Sequence, residues 1–122
     1  MDEAFKDELE NRTRQFAIDV IKFCSLLETH RGLRRVADQL VDAAGSVAAN
    51  HRAMRRARSP REFAAKTHIV LEEADECVLW LQVVQGIIPD LRGLQPLLTE
   101  ATELRNIFAK SEASARRRVS GK

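Results

Sequence analysis

Apolar residues three or four places apart, in four stretches divided by turn residues, constrain this chain more than any other feature. In the first stretch Phe5, Leu9, Phe16, Val20, Phe23 and Leu27 keep that spacing. It is the period of one face of an α-helix. The stretch predicts a helix from about Asp2 to Glu28, with Asp2, Glu3, Asp7 and Glu8 at the end where the helix dipole is positive. Gly32 breaks the pattern. The second stretch, from about Leu33 to Arg58, carries Leu33, Val36, Leu40, Ala43 or Ala44, Val47 and Met54 on one face. Gly45 lies within it among Ala43, Ala44, Ala48 and Ala49, small residues that let a helix of this chain or of another copy approach closely.

The sharpest boundary is Ser59-Pro60-Arg61-Glu62. A capping hydroxyl, a proline at the first helical position and a glutamate three places after the cap each favour a helix start. The third helix is predicted from Pro60 to about Gln85, with Phe63, Val70, Ala74, Cys77, Leu81 and Val84 inward. Gly86, Pro89 and Gly93 close it. The fourth runs from about Leu94 to about Ala115 on Leu94, Leu97, Ala101, Leu104 and Phe108. Residues 1–118 thus form one domain and Val119 to Lys122 a frayed tail. Four helices joined by short loops favour an all-α, antiparallel up-down four-helix bundle.

Composition agrees. In 122 residues, 44% are hydrophobic and 31% charged, with five Gly, three Pro and no Tyr. That suits a packed helical domain and not a disordered chain. No apolar run approaches the roughly 20 residues that span a bilayer, so no membrane partner is expected. The acidic start has no apolar core and does not read as a signal peptide. Cys24 and Cys77 stand alone at apolar helix positions, which points to reduced, inert thiols and a cytoplasmic setting.

Folding the helices back on one another sets Leu40 near Cys77, Val47 near Val70 and Met54 near Phe63. It also sets Cys77 near Leu104 and Ala74 near Phe108. One layer breaks the apolar rule. Asn50, between Val47 and Met54, is expected to face inward with Lys66 and Thr67 nearby. Asn50, Lys66 and Glu73, with Glu76 and Trp80, are candidates for a polar layer or subunit interface that fixes helix register. The core thins at the end where the first helix begins, the second and third turn, and the fourth finishes.

Two basic stretches meet at that end: Arg52, Arg55, Arg56, Arg58 and Arg61, and then Arg116, Arg117 and Arg118. Guanidinium forks bind phosphate at two points, so these eight arginines are the candidate nucleic-acid contacts. The competing reading is a solvated helix end, or pairing with acidic residues of this chain or a neighbour. Phe63 is expected in the core, which leaves no aromatic residue among the arginines and favours backbone contact over base stacking. The acidic stretch Glu72 to Glu76 reads as ion pairing, with Glu76 near Arg105 and Glu72 near Lys110.

Chemistry finds no foothold. A di-metal carboxylate bundle needs inward Glu-x-x-His pairs, and His30, His51 and His68 have no acidic residue three places before them. Nucleophile elbows, P-loops and dinucleotide glycine patterns are missing. The chain is expected to be no enzyme and to hold no metal or cofactor. Trp80 reads as core or interface packing.

The residues so far described resemble a known family. The run Ser46-Val47-Ala48-Ala49-Asn50-His51-Arg52-Ala53, followed by Arg56-Ala57-Arg58-Ser59, Glu62-Phe63, Lys66, Glu72-Glu73-Ala74-Asp75-Glu76 and Trp80-Leu81, is similar to bacterial four-helix-bundle proteins. Relatives of these are encoded in intervening sequences of large-subunit ribosomal RNA genes. The resemblance extends to the accessory variability protein of diversity-generating retroelements. It implies a homopentamer, and RNA, DNA or a nucleic-acid-associated protein as partner. Where many members follow the Asn with Ile-Ala-Glu-Gly, this chain has His51-Arg52-Ala53-Met54.

Overall fold

A computed structural model describes residues 2–121. They form a four-helix bundle: α1 Glu3–Cys24, α2 Arg34–Arg55, α3 Pro60–Ile87 and α4 Leu94–Ser120. Single 3-10 turns, Ser25–Leu27 and Arg31–Leu33, join α1 to α2. Among the described residues there is no strand. No helix is long and apolar enough to cross a membrane.

Each helix begins and ends for a local reason. Asp2 Oδ1 accepts the Phe5 amide at 2.8 Å and opens α1. Ser59 Oγ accepts the Glu62 amide at 3.0 Å, and Pro60 follows at the first helical position. Ser59 is extended, at φ −154° and ψ 158°, as a residue before proline prefers. That need ends α2 at Arg55, three residues short of the expected Arg58, and turns Arg56 to Arg58 into the loop. The same rule sets the end of α3. Helix continues through Gly86 and stops only at Ile88, the residue before Pro89, so Gly86 is not a terminator. The last helix also outruns expectation. Beyond Pro96 in its first turn, where a proline is tolerated, no glycine or proline interrupts it before Gly121, which caps it at φ 76°. Alanines and arginines are good helix formers, and Arg117 and Arg118 complement the negative end of the dipole. Val119 and Ser120, placed in the tail by sequence, are therefore helical; Lys122 lies outside the described residues.

The core runs the length of the bundle on Leu9, Phe16, Val20, Leu40, Val47, Val70, Leu81, Leu104 and Phe108. Alpha-helix α3 is central, packed along both α2 and α4, whereas α1 leans chiefly on α2. Arg12 ties α1 to α4: its Nε and Nη2 donate to Glu100 at 3.0 and 2.7 Å, and Nη2 reaches Glu103 at 2.9 Å. The α3–α4 pairs Asp75–Arg105, at 3.3 Å, and His68–Glu112, at 2.7 Å, show the two helices running in opposite senses.

Candidate functional site

An open groove of about 700 Å³ lies where α1 starts, α2 turns into α3 and α4 ends. Phe5, Phe63, Ile107 and Ala115 supply its apolar floor. Lys6, Arg58, Lys110 and Arg118 supply the cations, and among the described residues no carboxylate lines it. The hydroxyls of Ser59, Ser111 and Ser114 stand between. The local sequence explains the opening. Ala57 and Pro60 at the turn and Ser111 and Ser114 on α4 are too small to close the bundle. Lys6 Nζ sits 5.9 Å from the centre of the Phe63 ring, within cation–π range, so aromatic floor and cationic rim touch. Phe63 is only half buried. It packs against the edge of the core, as expected, and also walls the groove, so Arg58 and Arg118 do have an aromatic neighbour.

The eight candidate arginines divide by what surrounds them. Arg58 and Arg118, from the two basic stretches, share the groove. Arg52 and Arg56 line a second depression between α1 and α2, with Arg14, Glu10 and Gly45. Among the described residues Arg52, Arg56, Arg61, Arg117 and Arg118 have no carboxylate within ion-pair distance, and Arg58 has only Glu62 at 3.9 Å. Arg55 differs. Its guanidinium holds Asp7 at 2.7 Å, Glu10 at 3.0 Å and Glu3 at 3.1 Å, all on α1. It is a clamp across α1 and α2 with three of its five N–H donors engaged, both Nη atoms among them, which ties it down more than Arg58 or Arg118. The same contacts offset part of the negative charge at the start of α1, which would otherwise oppose the cationic groove. Arg116 is held at 2.8 Å by Glu112.

The expected polar layer is displaced by one residue. His51, not Asn50, is the inward residue of α2: it is fully buried, its ring 5.8 Å from Phe108. Buried Leu40, Ala44, Val47, His51 and Met54 follow the helical period, and one residue is a rotation of about 100°. Asn50 is instead half buried and donates to the Ser46 carbonyl at 2.9 Å and to its hydroxyl at 2.8 Å. Glu73 lies beside Ser46, and burial is the first cause that pushes its carboxyl above the usual range, followed by Glu76. Lys66 is half buried on the same helix. Trp80 is half buried too, its Nε1 donating to Glu76 at 3.2 Å, while Cys77, Val78 and Leu81 fill the core on that turn. Asp75, not Glu76, meets Arg105, and Glu72 meets His68 at 2.7 Å.

His68 is the centre of a network the sequence reading missed. Nε2 reaches Glu72 and Nδ1 reaches Glu112, each at 2.7 Å. The hydrogen bond to Glu112 chiefly raises its pKa. Its local signal was Glu72, one helical turn on. Neither ring nitrogen of His51 has a protein partner among the described residues. Burial, then Arg55, pushes its pKa below the ordinary histidine value. Burial also pushes the Cys24 thiol up to about 11 and Cys77 up to about 12, which keeps both protonated at neutral pH. Among the described residues no group of three His, Cys, Asp or Glu side chains is placed to hold a metal ion. The arrangement offers recognition of an anion that also has an apolar face.

No family model matches the chain. No curated protein matches it either. The fold is similar to a crystal structure from Bacteroides thetaiotaomicron, described as a protein of unknown function from the S23 ribosomal protein family. The two superpose with a TM-score of 0.76 at 21% identity, over 84% of this chain and 96% of that one. At that identity the likeness speaks for the four-helix architecture.

Proposed function

We propose that this bundle is a non-enzymatic, cytoplasmic binding module that grips the phosphate backbone of nucleic acid, or of a nucleoprotein, at its arginine-bearing end. It works as a homo-oligomer, a pentamer by the family resemblance. One observation carries the reading: Lys6, Arg58, Lys110 and Arg118 converge on a groove that no carboxylate of the described residues lines, and Arg61 and Arg117 have no carboxylate partner among the described residues. Concentrated cationic charge of this kind is what a phosphate backbone selects. The S23 ribosomal family name of the similar structure agrees in kind.

Fluorescence anisotropy with a labelled structured RNA and a labelled DNA duplex tests it. Binding at low salt that weakens steeply as salt rises, and is lost when Arg58, Arg61, Arg117 and Arg118 are replaced together by Gln at unchanged assembly mass, supports the reading. No binding at low salt removes it. A second reading, a scaffold that binds only protein, draws on exposed Ile18 and Ile21 on α1 and Leu26 in the 3-10 turn after it, apolar residues suited to another copy. If the arginines of one copy pair with Glu72 to Glu76 of the next, high salt dissociates the assembly.

A further inference from the structure

We infer that the groove takes an unpaired base of a single-stranded nucleic acid, a refinement that rests on the phosphate-binding reading above. Three chemistries meet there that a nucleotide needs together. Phe5 and Phe63 offer aromatic surface on an apolar floor, and every base has a π-face to lay on it. Ser59, Ser111 and Ser114 line the same groove with hydroxyls, which both donate and accept; Ser114 Oγ accepts from Arg117 Nη2 at 3.2 Å, bringing a guanidinium to that edge. Ser59 Oγ already accepts the Glu62 amide, so its proton is the free end. Arg58, Lys110 and Arg118 supply the charge for the flanking phosphates.

The groove does not suit a simple fatty acid. Lys6 already pairs with Glu3 at 3.4 Å, but Arg58, Lys110 and Arg118 still exceed what one carboxylate neutralises, and an alkyl chain leaves the hydroxyls without partners. Nor does a closed duplex use the floor, because its bases are stacked and paired inside the helix. The volume of about 700 Å³ and the open mouth allow a splayed nucleotide to enter from the surface. The aromatic floor favours a nucleotide over an acidic protein segment, and Arg58 and Arg118 belong at once to the groove and to the arginine stretches that flank it. A strand held on the exposed arginines is led directly over the aromatic floor.

The test measures, on the full chain at one low salt concentration, three labelled probes of equal length: a single strand, the same backbone without bases, and a blunt duplex. The expected result is that the single strand binds about tenfold tighter than the abasic strand, the scale of one base stacked on an aromatic ring. In Phe63→Leu the preference shrinks while abasic affinity stays. Ser111→Leu, which narrows the groove and removes no core side chain, does the same and guards against a folding defect in the first variant. Equal affinity for single and abasic strands, both lost on replacing the arginines, overturns the base pocket and leaves the phosphate reading standing. No binding of any probe overturns both, and points to an acidic protein segment as the occupant.

Discussion

His51 on α2 and His68 on α3 titrate in opposite senses. Burial depresses His51. Below the ordinary histidine value of about 6.5 the unfolded chain takes up a proton that the folded chain refuses. The stability due to neutral His51 is complete above that value and is lost as pH falls from it towards the folded pKa. His68 is raised by Glu112. Its contribution is complete below 6.5 and is lost as pH rises through its folded pKa. His51→Leu is therefore expected to flatten the acid side of a stability–pH profile measured by urea unfolding. It also leaves stability at neutral pH unchanged or higher by about 1 kcal/mol, because an unpartnered buried polar group gives way to an apolar one. An unaltered acid limb would mean that the carboxylates, not His51, set it. The one-residue displacement from Asn50 shows what was legible here. Spacing alone, Val47 then His51 then Met54, pointed to the right residue; the polarity of Asn50 drew attention to its neighbour. His68 was hidden for a different reason, since its second carboxylate comes from α4, far along the chain.

At the scale of helices, capping residues carried most of the information. Ser59-Pro60 fixed the start of α3 because the proline restricts its predecessor and the serine satisfies an amide, both local effects. Ser59→Ala is expected to cost about 1 kcal/mol in urea unfolding. Helix ends were less legible where glycine was read as a stop. Gly86 sits inside α3, and the ends follow Pro89 and Gly121 instead. Gly45 was read as a place of close helix approach, yet a Cβ there meets no atom within 4 Å. Nothing in the same chain needs its smallness. Gly45→Ala should then stabilise by about 1 kcal/mol through helix propensity, seen as a higher Tm. If the same variant instead loses assembly mass by light scattering, a second copy packs against α2 at that point.

Across the whole molecule, charge is arranged by engagement more than by amount. The formal net charge is only +2, and the sequence puts the acidic start of α1 and both arginine stretches at one end, where they could cancel. The fold separates them: Arg55 gathers Glu3, Asp7 and Glu10 on one side, while Arg58 and Arg118 open into the groove on the other. The meeting of the two stretches was legible from helix lengths. The clamp was not, since sequence does not say which of several arginines reaches across to α1. That division makes a measurable difference between arginines of equal formal charge. A cation that displaces counterions from a phosphate adds about 0.9 to the slope of log affinity against log salt on duplex DNA. Arg58→Gln and Arg118→Gln should each lower the slope by about that amount and leave thermal unfolding nearly unchanged. Arg55→Gln should do the reverse, lowering Tm as three carboxylates lose their common partner. Its salt slope should hold, or rise if the released acids repel the strand. Equal slope losses from all three variants would mean that nucleic acid competes with α1 for Arg55, and that binding opens the clamp.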